Sequence, residues 1–415
     1  MTFTLSPSPL TGTIAAPPSK SMTLRALAAA FLSGTEAVIR NPSQCDDVNN
    51  ACDSLQVLGT GIMQKRGHLV ILPHPPKGDL VPCGESALWF RMMAPILSLF
   101  PETFTLTARG SLKKRPMEMM VKPLEKLGVD VTASGTTPPI TVRGPLQPGT
   151  VEIDGRETSQ FLTGLLMALP SLSGPSLIKA PGLVSRPYIN MTLQFLAEHG
   201  ILVDRDDHDI FSIPGNQHFS SIDYTVEGDW SAGAFLLVAG ALHGPVTVSG
   251  LDPASLQGDR SVLDVLRASG ADITETKTSV TVTRGELRAF DYDATDTPDL
   301  VPPLAVLASC CRGTSHIRGM SRITRKESDR GATLHAMLHE MGIPVTRSED
   351  LMAVTGASPG PGSVSSYGDH RIAMAASLLA SQASGDVEVR GAEAVSKSYP
   401  SFFDAFRQLG GLIHE

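Results

Sequence analysis

A repeat of about seventy residues is the feature that most restricts how this chain folds. Six helical segments end in a glycine that precedes a strand-like run, and these glycines are Gly59, Gly128, Gly200, Gly270, Gly342 and Gly410. They are separated by 69, 72, 70, 72 and 68 residues. Such a period, repeated along the whole chain, predicts six copies of one structural unit. Each glycine is a candidate left-handed helix end, and the alternation that follows it predicts a hairpin.

A second helix start recurs with the same period, at residues 19–21, 84–86, 155–160, 228–231, 297–299 and 368–371. An apolar helix and then a short strand follow each of these starts. The unit is therefore strand, helix, strand, helix and hairpin. Six such units predict an α/β (α+β) fold with two domains of three units each.

The two ends of the chain indicate how the domains are divided. The last unit stops at residues 412–415 without a second hairpin strand, while residues 3–5 form a strand that belongs to no unit. We expect the N-terminal strand to complete the final repeat. The sequence thus predicts a discontinuous domain, 1–17 with 228–415, and an inserted domain, 18–227.

Composition excludes several classes of partner. A net charge of −8 and a pI near 5.8 disfavour nucleic acid and anionic membranes, because the overall field repels both. The five cysteines have no C-x-x-C spacing, which fits a reducing compartment. The N-terminus has no signal-peptide pattern and no apolar run reaches membrane-spanning length, so we expect a cytoplasmic protein.

The stretch from Pro17 to Arg25 predicts a local anion site. Ser19 is placed to cap a helix, Lys20 lies in its first turn, and Ser21 and Arg25 share one face. Unpaired N–H groups and the positive dipole end lie beside them. The alternative is an ordinary capped helix with two solvated basic residues. If the six helix starts face one another between the domains, they form a positive cleft.

Further charged residues cluster at other helix starts. The run 326–330 follows several arginines, Asp369-His370-Arg371 opens a helix, and Lys397 lies between two serines. A solvated loop, a helix-capping role for Asp299 and a structural role for His370 remain alternatives. Arg91 lies in an apolar helix, where it either snorkels or pairs with an anion.

These motifs together resemble the 5-enolpyruvylshikimate-3-phosphate synthase family of enolpyruvyl transferases. The motifs are 18–21 with Arg25, 158–162, 185–188, 326–330, 369–371 and 397–400, and they occur in the family's order over essentially the whole chain. The resemblance implies two domains, each of three βαβαββ repeats around a pseudo-threefold axis in an inside-out α/β barrel, with the active site in the cleft between the domains.

The resemblance also implies transfer of the enolpyruvyl group of phosphoenolpyruvate to the 5-hydroxyl of shikimate 3-phosphate, by addition and elimination, in aromatic amino acid biosynthesis. No metal or cofactor and a monomer are expected. Asp299 would be the base and Glu327 the acid, with Lys20 as a third catalytic residue. The residues implied for phosphoenolpyruvate are Lys20, Ala87, Arg115, Gln160, Arg330, Arg371 and Lys397. Those implied for shikimate 3-phosphate are Lys20, Ser21, Arg25, Thr158, Ser159, Gln160, Ser185, Tyr188, Asp299 and Lys326.

One motif departs from the family. The family's Gly-Asn-Ala-Gly-Thr-x-x-Arg is Gly-Glu-Ser-Ala-Leu-Trp-Phe-Arg at residues 84–91, so Ala87 replaces the glycine beside the phosphoenolpyruvate subsite. The extra methyl group predicts weak binding of the bulkier inhibitor glyphosate.

Two other functions remain as alternatives. One is the related transferase that acts on UDP-N-acetylglucosamine, which usually carries a reactive cysteine in a loop of the first domain; residues 100–125 contain none. The other is a non-catalytic anion-binding relative, disfavoured by the intact charged motifs.

Overall fold

The computed structural model describes residues 1–133 and 135–414; Ser134 and Glu415, the last residue of the predicted discontinuous domain, lie outside the described residues. Contacts divide the chain into two compact units. The discontinuous unit comprises residues 1–17 and 227–415, and the inserted unit comprises residues 18–226.

Twelve α-helices occur in the described residues. They are α1 (Lys20–Ser33), α2 (Asp46–Val57), α3 (Ala87–Leu97), α4 (Val121–Lys126), α5 (Ser159–Ala168), α6 (Arg186–Glu198), α7 (Trp230–His243), α8 (Val262–Ser269), α9 (Val301–Ser309), α10 (Arg330–Glu340), α11 (His370–Ser381) and α12 (Phe402–Gln408).

The described part of the discontinuous unit contains three four-stranded sheets. In spatial order, their strands are Gly362–Ser365, Val387–Arg390, Thr2–Ser6 and Leu412–His414; Asp272–Glu275, Ser279–Thr283, Val246–Ser249 and Gly12–Ala15; and Asp291–Asp293, Thr314–Arg318, Leu351–Thr355 and Val345–Arg347.

Outside Ser134, the inserted unit repeats this arrangement in three further sheets. Their strands are Asp223–Thr225, Ala37–Arg40, His68–Leu72 and Gly61–Lys65; Leu80–Pro82, Thr103–Thr107, Ile140–Arg143 and Asp130–Ala133; and Thr150–Glu152, Ser176–Lys179, Ile210–Ile213 and Asp204–Arg205. Each sheet joins one parallel pair to two antiparallel pairs, as in 150–152 with 176–179 and then 210–213. Among the described strands no sheet closes on itself.

The N-terminal strand completes the last repeat, as predicted. Thr4 lies opposite Glu388 on one side and His414 on the other, both in antiparallel pairs. The predicted glycine helix ends are also confirmed, because all six have φ between 77° and 106°. Only glycine adopts this backbone without strain, which explains why the glycines recur with the repeat.

Alternate helices form the core of each unit. In the discontinuous unit α7, α9 and α11 pack against one another, and α9 and α11 are buried over their whole length. In the inserted unit α3 contacts α1 and α5. Because its neighbours cover it completely, α9 is apolar on every side, and α11 is almost free of charge after its first two residues. The helices between them, such as α2 and α6, bury one face only. No helix in the described ranges is long and apolar enough to cross a membrane.

The predicted helix start at residues 297–299 needs a correction. Residues 298–300 form a 3₁₀ turn, and α9 begins at Val301. No side chain caps this turn, so Asp299 is not the helix cap that the simpler alternative required. The Asp299 carboxylate instead forms the ion pairs described below.

Candidate active site

The predicted site residues occur in both units, and each group is described within its own unit. The discontinuous unit contains a compact charged group that we call the Arg330 cluster. It comprises Asp299, Lys326, Glu327, Arg330, Asp369, Arg371 and Lys397.

Arg330, the first residue of α10, lies at the centre of the cluster. Its guanidinium donates from Nε to Asp369 Oδ2 at 2.7 Å and from Nη1 to Asp299 Oδ1 at 2.7 Å. Its Nη2 donates to Glu327 Oε2 at 2.5 Å. The side chain is only 1% exposed. A charge is tolerated at this depth because three carboxylates satisfy it, two of them from distant parts of the sequence.

Two aspartates of this region, Asp369 and Asp329, cap helices. Asp369 caps α11 by accepting from the backbone N of Arg371 at 3.0 Å, and its other oxygen accepts from Ser328 Oγ at 3.1 Å. Asp329 caps α10, accepting from the Ala332 N–H at 2.9 Å. These caps set where each following helix begins, and therefore where Arg330 and Arg371 project.

Three further cations surround the carboxylates. Arg371 Nη2 lies 3.2 Å from Asp299 Oδ2, and Lys326 Nζ lies 3.7 Å from Asp299 Oδ1. Lys397 Nζ lies 3.9 Å from Glu327 Oε1. The cluster thus holds four cations against three carboxylates among the described residues, a balance that favours an anionic ligand.

The charges alter the protonation of both partners. Burial raises the pKa of Asp299, but neighbouring cations, Arg371 foremost, outweigh it and hold the pKa well below its usual range. Burial lowers the pKa of Arg330, but the carboxylates, Asp369 foremost, reverse this and raise it above its ordinary value. Asp299 is therefore ionised at neutral pH.

Asp259, which interacts electrostatically with Asp299 and Arg371 of the cluster, was missed by the sequence analysis. It is 2% exposed and accepts a hydrogen bond from Ser231 Oγ. Burial, followed by the charge of Asp299, raises its pKa to about 7. An aspartate in a polar loop is so common that the sequence carried no signal for this position.

His370 is buried at 1% exposure. Its Nδ1 lies 3.7 Å from Asp369 Oδ1. Ligand atoms of Glu327, Asp369 and His370 lie within 4.8 Å of one another, a spacing compatible with a cation, but both carboxylates already bind Arg330.

In the inserted unit, Arg25 joins two helices. Its Nε donates to Thr192 Oγ1 at 3.0 Å and its Nη2 to the Tyr188 carbonyl at 3.0 Å, both on α6. Its Nη1 donates to the backbone carbonyl of Ser21 at 2.9 Å. Burial lowers its pKa to about 10. The solvated alternative for Arg25 is therefore wrong.

Lys20 is also paired. Ser19 caps α1 as predicted, accepting from the Met22 N–H at 3.4 Å. Lys20 Nζ lies 3.0 Å from Asp47 Oδ2, and the lysine side chain is 17% exposed. The pair leaves Lys20 in a fixed position at the first turn of the helix, beside the N–H groups of α1.

Arg91 connects Gln160 to the segment that carries Arg115. Its Nη1 donates to Gln160 Oε1 at 2.8 Å and its Nη2 to the Pro116 carbonyl at 3.0 Å. Burial, followed by the charge of Arg115, lowers the pKa of Arg91 to about 9. Arg91 is 7% exposed and so does not snorkel. Pairing with an anion stays a prediction, and the charge of Glu157 acts on Arg91 in this structure.

The remaining predicted residues lie at helix starts of the same unit. Thr158 caps α5 through the Gln160 N–H at 3.2 Å, and Ser159 is the first residue of that helix. Ser185 precedes α6 with φ of 57°, a left-handed conformation rare for serine. Ala87 begins α3 and is 6% exposed.

Known proteins resemble this chain over its full length. A sequence model of the family EPSP synthase (3-phosphoshikimate 1-carboxyvinyltransferase) matches residues 5–406. Two proteins named 3-phosphoshikimate 1-carboxyvinyltransferase, from Clostridium kluyveri and Methanocorpusculum labreanum, are each 36% identical; the first match covers 99% of this chain and 98% of the relative, and the second covers 100% of both. One from Thermococcus kodakarensis is 37% identical, covering 96% of this chain and 97% of the relative.

Solved structures share the fold. EPSP synthase from Acinetobacter baumannii superposes with a TM-score of 0.85 at 23% identity, covering 100% of both chains. The enolpyruvyl transferase NikO from Streptomyces tendae superposes with a TM-score of 0.80 at 17% identity, covering 100% of this chain and 98% of the other. The fold is thus that of the enolpyruvyl transferases. Within that class, the chain belongs to the EPSP synthase family, and the alternatives considered from the sequence are not favoured.

Proposed function

We propose that this chain transfers the enolpyruvyl group of phosphoenolpyruvate to the 5-hydroxyl of shikimate 3-phosphate. The products are 5-enolpyruvylshikimate 3-phosphate and phosphate, in the pathway to chorismate and the aromatic amino acids. Membership of the EPSP synthase family supports the activity. The observation that carries the mechanism is that one buried guanidinium, Arg330, binds both the candidate base Asp299 and the candidate acid Glu327.

The charge of the two substrates explains why so many cations are needed. Each substrate carries a phosphate and a carboxylate, so together they bring roughly six negative charges into one place. We assign Lys20, Ala87, Arg115, Gln160, Arg330, Arg371 and Lys397 to phosphoenolpyruvate. We assign Lys20, Ser21, Arg25, Thr158, Ser159, Gln160, Ser185, Tyr188, Asp299 and Lys326 to shikimate 3-phosphate. The two units are the proposed domains.

The proposed addition step uses both carboxylic groups of the cluster. Asp299 takes the proton of the 5-hydroxyl while the hydroxyl oxygen attacks C2 of phosphoenolpyruvate. Glu327, protonated in the substrate complex, gives its proton to C3 and forms a methyl group. In the elimination step the bond between C2 and the phosphate oxygen breaks, the methyl group returns a proton to Glu327, and phosphate leaves with the proton that Asp299 held. Lys20 would neutralise charge on that phosphate.

Substrate binding would strengthen Asp299 as a base. Its pKa is held low by cations that include Arg371 and Lys326. Anionic substrate groups that pair with these cations would reduce this effect and raise the pKa of Asp299 towards neutrality, where a base works best.

A cytoplasmic monomer is part of the proposal. All five cysteines are free thiols in the described residues, which fits a reducing compartment. Light scattering of the purified chain would test the monomer, since a mass twice that of the chain would contradict it.

Phosphate release tests the activity. The purified chain should release phosphate from phosphoenolpyruvate when shikimate 3-phosphate is present and not with UDP-N-acetylglucosamine or without an acceptor. Release with the UDP-sugar, or none with shikimate 3-phosphate, would contradict the proposal.

A further inference from the structure

Glu85 makes a contact that neither the family motif nor the mechanism accounts for. Its Oε2 accepts hydrogen bonds from the backbone N and from Oγ of Ser111, both at 3.1 Å. The Arg109 N–H donates to the Gly84 carbonyl at 2.7 Å beside them. Residues 84–85 therefore hold the start of the segment 109–111 through backbone as well as side-chain atoms.

Gly110 allows this close approach. Its φ is 48°, and a Cβ placed on it would lie 1.9 Å from Glu85 Oε1. A side chain at this position would displace the carboxylate, so glycine is needed both for its backbone conformation and for the space that Glu85 occupies.

The segment held by Glu85 leads directly to Arg115. Residues 110–114 form a 3₁₀ turn whose Leu112 is fully buried, and the Arg115 N–H closes it by donating to the Leu112 carbonyl at 3.1 Å. At the far end, Arg91 Nη2 holds the Pro116 carbonyl at 3.0 Å. Glu85 and Arg91, six positions apart in one motif, thus fix Arg115 from both sides.

We propose that Glu85 is a positioning residue that sets the location of Arg115. The inference rests on the proposed function, in which Arg115 binds phosphoenolpyruvate. Residue 85 is asparagine in the family motif, and a carboxylate accepts from the Ser111 donors more strongly than a neutral amide. Removing the Glu85 carboxylate releases the start of the 3₁₀ turn and lets Arg115 move away from its position for binding phosphoenolpyruvate.

The test compares Glu85→Ala and Glu85→Gln with the control Glu118→Ala. Glu118 is an exposed glutamate on the following turn, outside the contacts described. Hydrogen exchange of the Ser111 backbone amide measures the contact with Glu85 directly. Steady-state kinetics, with each substrate varied in turn, measure the effect of the contact on substrate binding. Thermal unfolding shows whether each variant folds.

Glu85→Ala should speed exchange of the Ser111 amide and raise KM for phosphoenolpyruvate, each by about tenfold or more. KM for shikimate 3-phosphate should stay within about twofold, since Arg115 is not assigned to it. Glu85→Gln should show smaller changes in both quantities than Glu85→Ala, because its amide oxygen still accepts a hydrogen bond. Glu118→Ala should change neither.

Equal increases in both KM values, or an unchanged KM for phosphoenolpyruvate, would overturn the inference. The two proposals fail separately. If the wild type releases no phosphate with shikimate 3-phosphate, the proposed function fails. The exchange measurement then still decides whether Glu85 holds the segment 109–111. Unchanged protection of the Ser111 amide in Glu85→Ala overturns the inference, and lost protection supports it.

Discussion

Arg330 and Asp369 form an ion pair of 2.7 Å in which the arginine is 1% exposed and the aspartate fully buried. Asp369 is at the same time the cap of α11, and Arg330 is the first residue of α10. The pair therefore joins two helix starts, and it places the remaining donors of the guanidinium on Asp299 and Glu327.

Substitution of Arg330 should strongly destabilise the fold. Arg330→Lys keeps one charge but loses the planar fork that satisfies three carboxylates, so buried carboxylates lose their partners. We expect a loss of about 3 kcal/mol or more in the free energy of unfolding, measured by denaturant titration.

Arg347→Lys is the matched control. Arg347 pairs with Asp329 at 3.1 Å, but the two side chains are 32% and 42% exposed. Arg347→Lys should lower the free energy of unfolding by less than about 1 kcal/mol. Equal losses in the two variants would show that burial of the Arg330 pairs has no energetic consequence.

Asp259 should make stability depend on pH. Its pKa is about 7 in the folded chain against an ordinary value of 3.8, so the folded state binds the proton more tightly than the unfolded state. The stabilisation that follows from this tighter proton binding is complete below about pH 4. It is lost as the pH rises towards about 7 and is absent above that pH. The stability advantage of the wild type over Asp259→Asn should therefore shrink by up to about 4 kcal/mol across that interval.

Ser231→Ala provides a second, directional test of Asp259. The hydrogen bond from Ser231 lowers the pKa of Asp259, so its removal should raise the pKa and extend the decline in stability above pH 7. Chemical denaturation at a series of pH values measures both variants. A difference between wild type and Asp259→Asn that does not change with pH would contradict the buried, protonated state.

Ala87 should weaken glyphosate binding. Its methyl group, 6% exposed at the start of α3, occupies space that the family's glycine leaves empty. Ala87→Gly should lower the inhibition constant of glyphosate by about tenfold or more, with a much smaller change in KM for phosphoenolpyruvate. Inhibition kinetics measure this. A sub-micromolar constant for the wild type, competitive with phosphoenolpyruvate, would refute the steric argument.

The fold was predictable because its signals are local and repeated. A glycine such as Gly270 ends its helix through its own backbone conformation, and caps such as Ser19 act within one helical turn. Counting the repeats was enough to predict that the N-terminal strand completes the last repeat, where it pairs with residues 387–390 and 412–414. The predicted start near Asp299 was less accurate because the choice between a 3₁₀ turn and an α-helix depends on neighbouring contacts.

The chemistry of the site was only partly predictable. The motifs identified the charged residues but not their partners, since Asp299 and Asp369 are brought to Arg330 by tertiary folding. The hydrogen bonds of Arg91 could not be predicted because its acceptors, at Gln160 and Pro116, are distant in sequence. Burial of Asp259 depends on what covers it, which no local pattern encodes.

The central claim is that Asp299 and Glu327, both bound to Arg330, carry out the addition step. In heavy water, reversible addition forms a methyl group at C3 and should place deuterium in recovered phosphoenolpyruvate when shikimate 3-phosphate is present. Glu327→Gln should slow this incorporation by about 100-fold or more, while Asp329→Asn, beside the cluster, should change it little. Incorporation at the wild-type rate in Glu327→Gln would contradict the account.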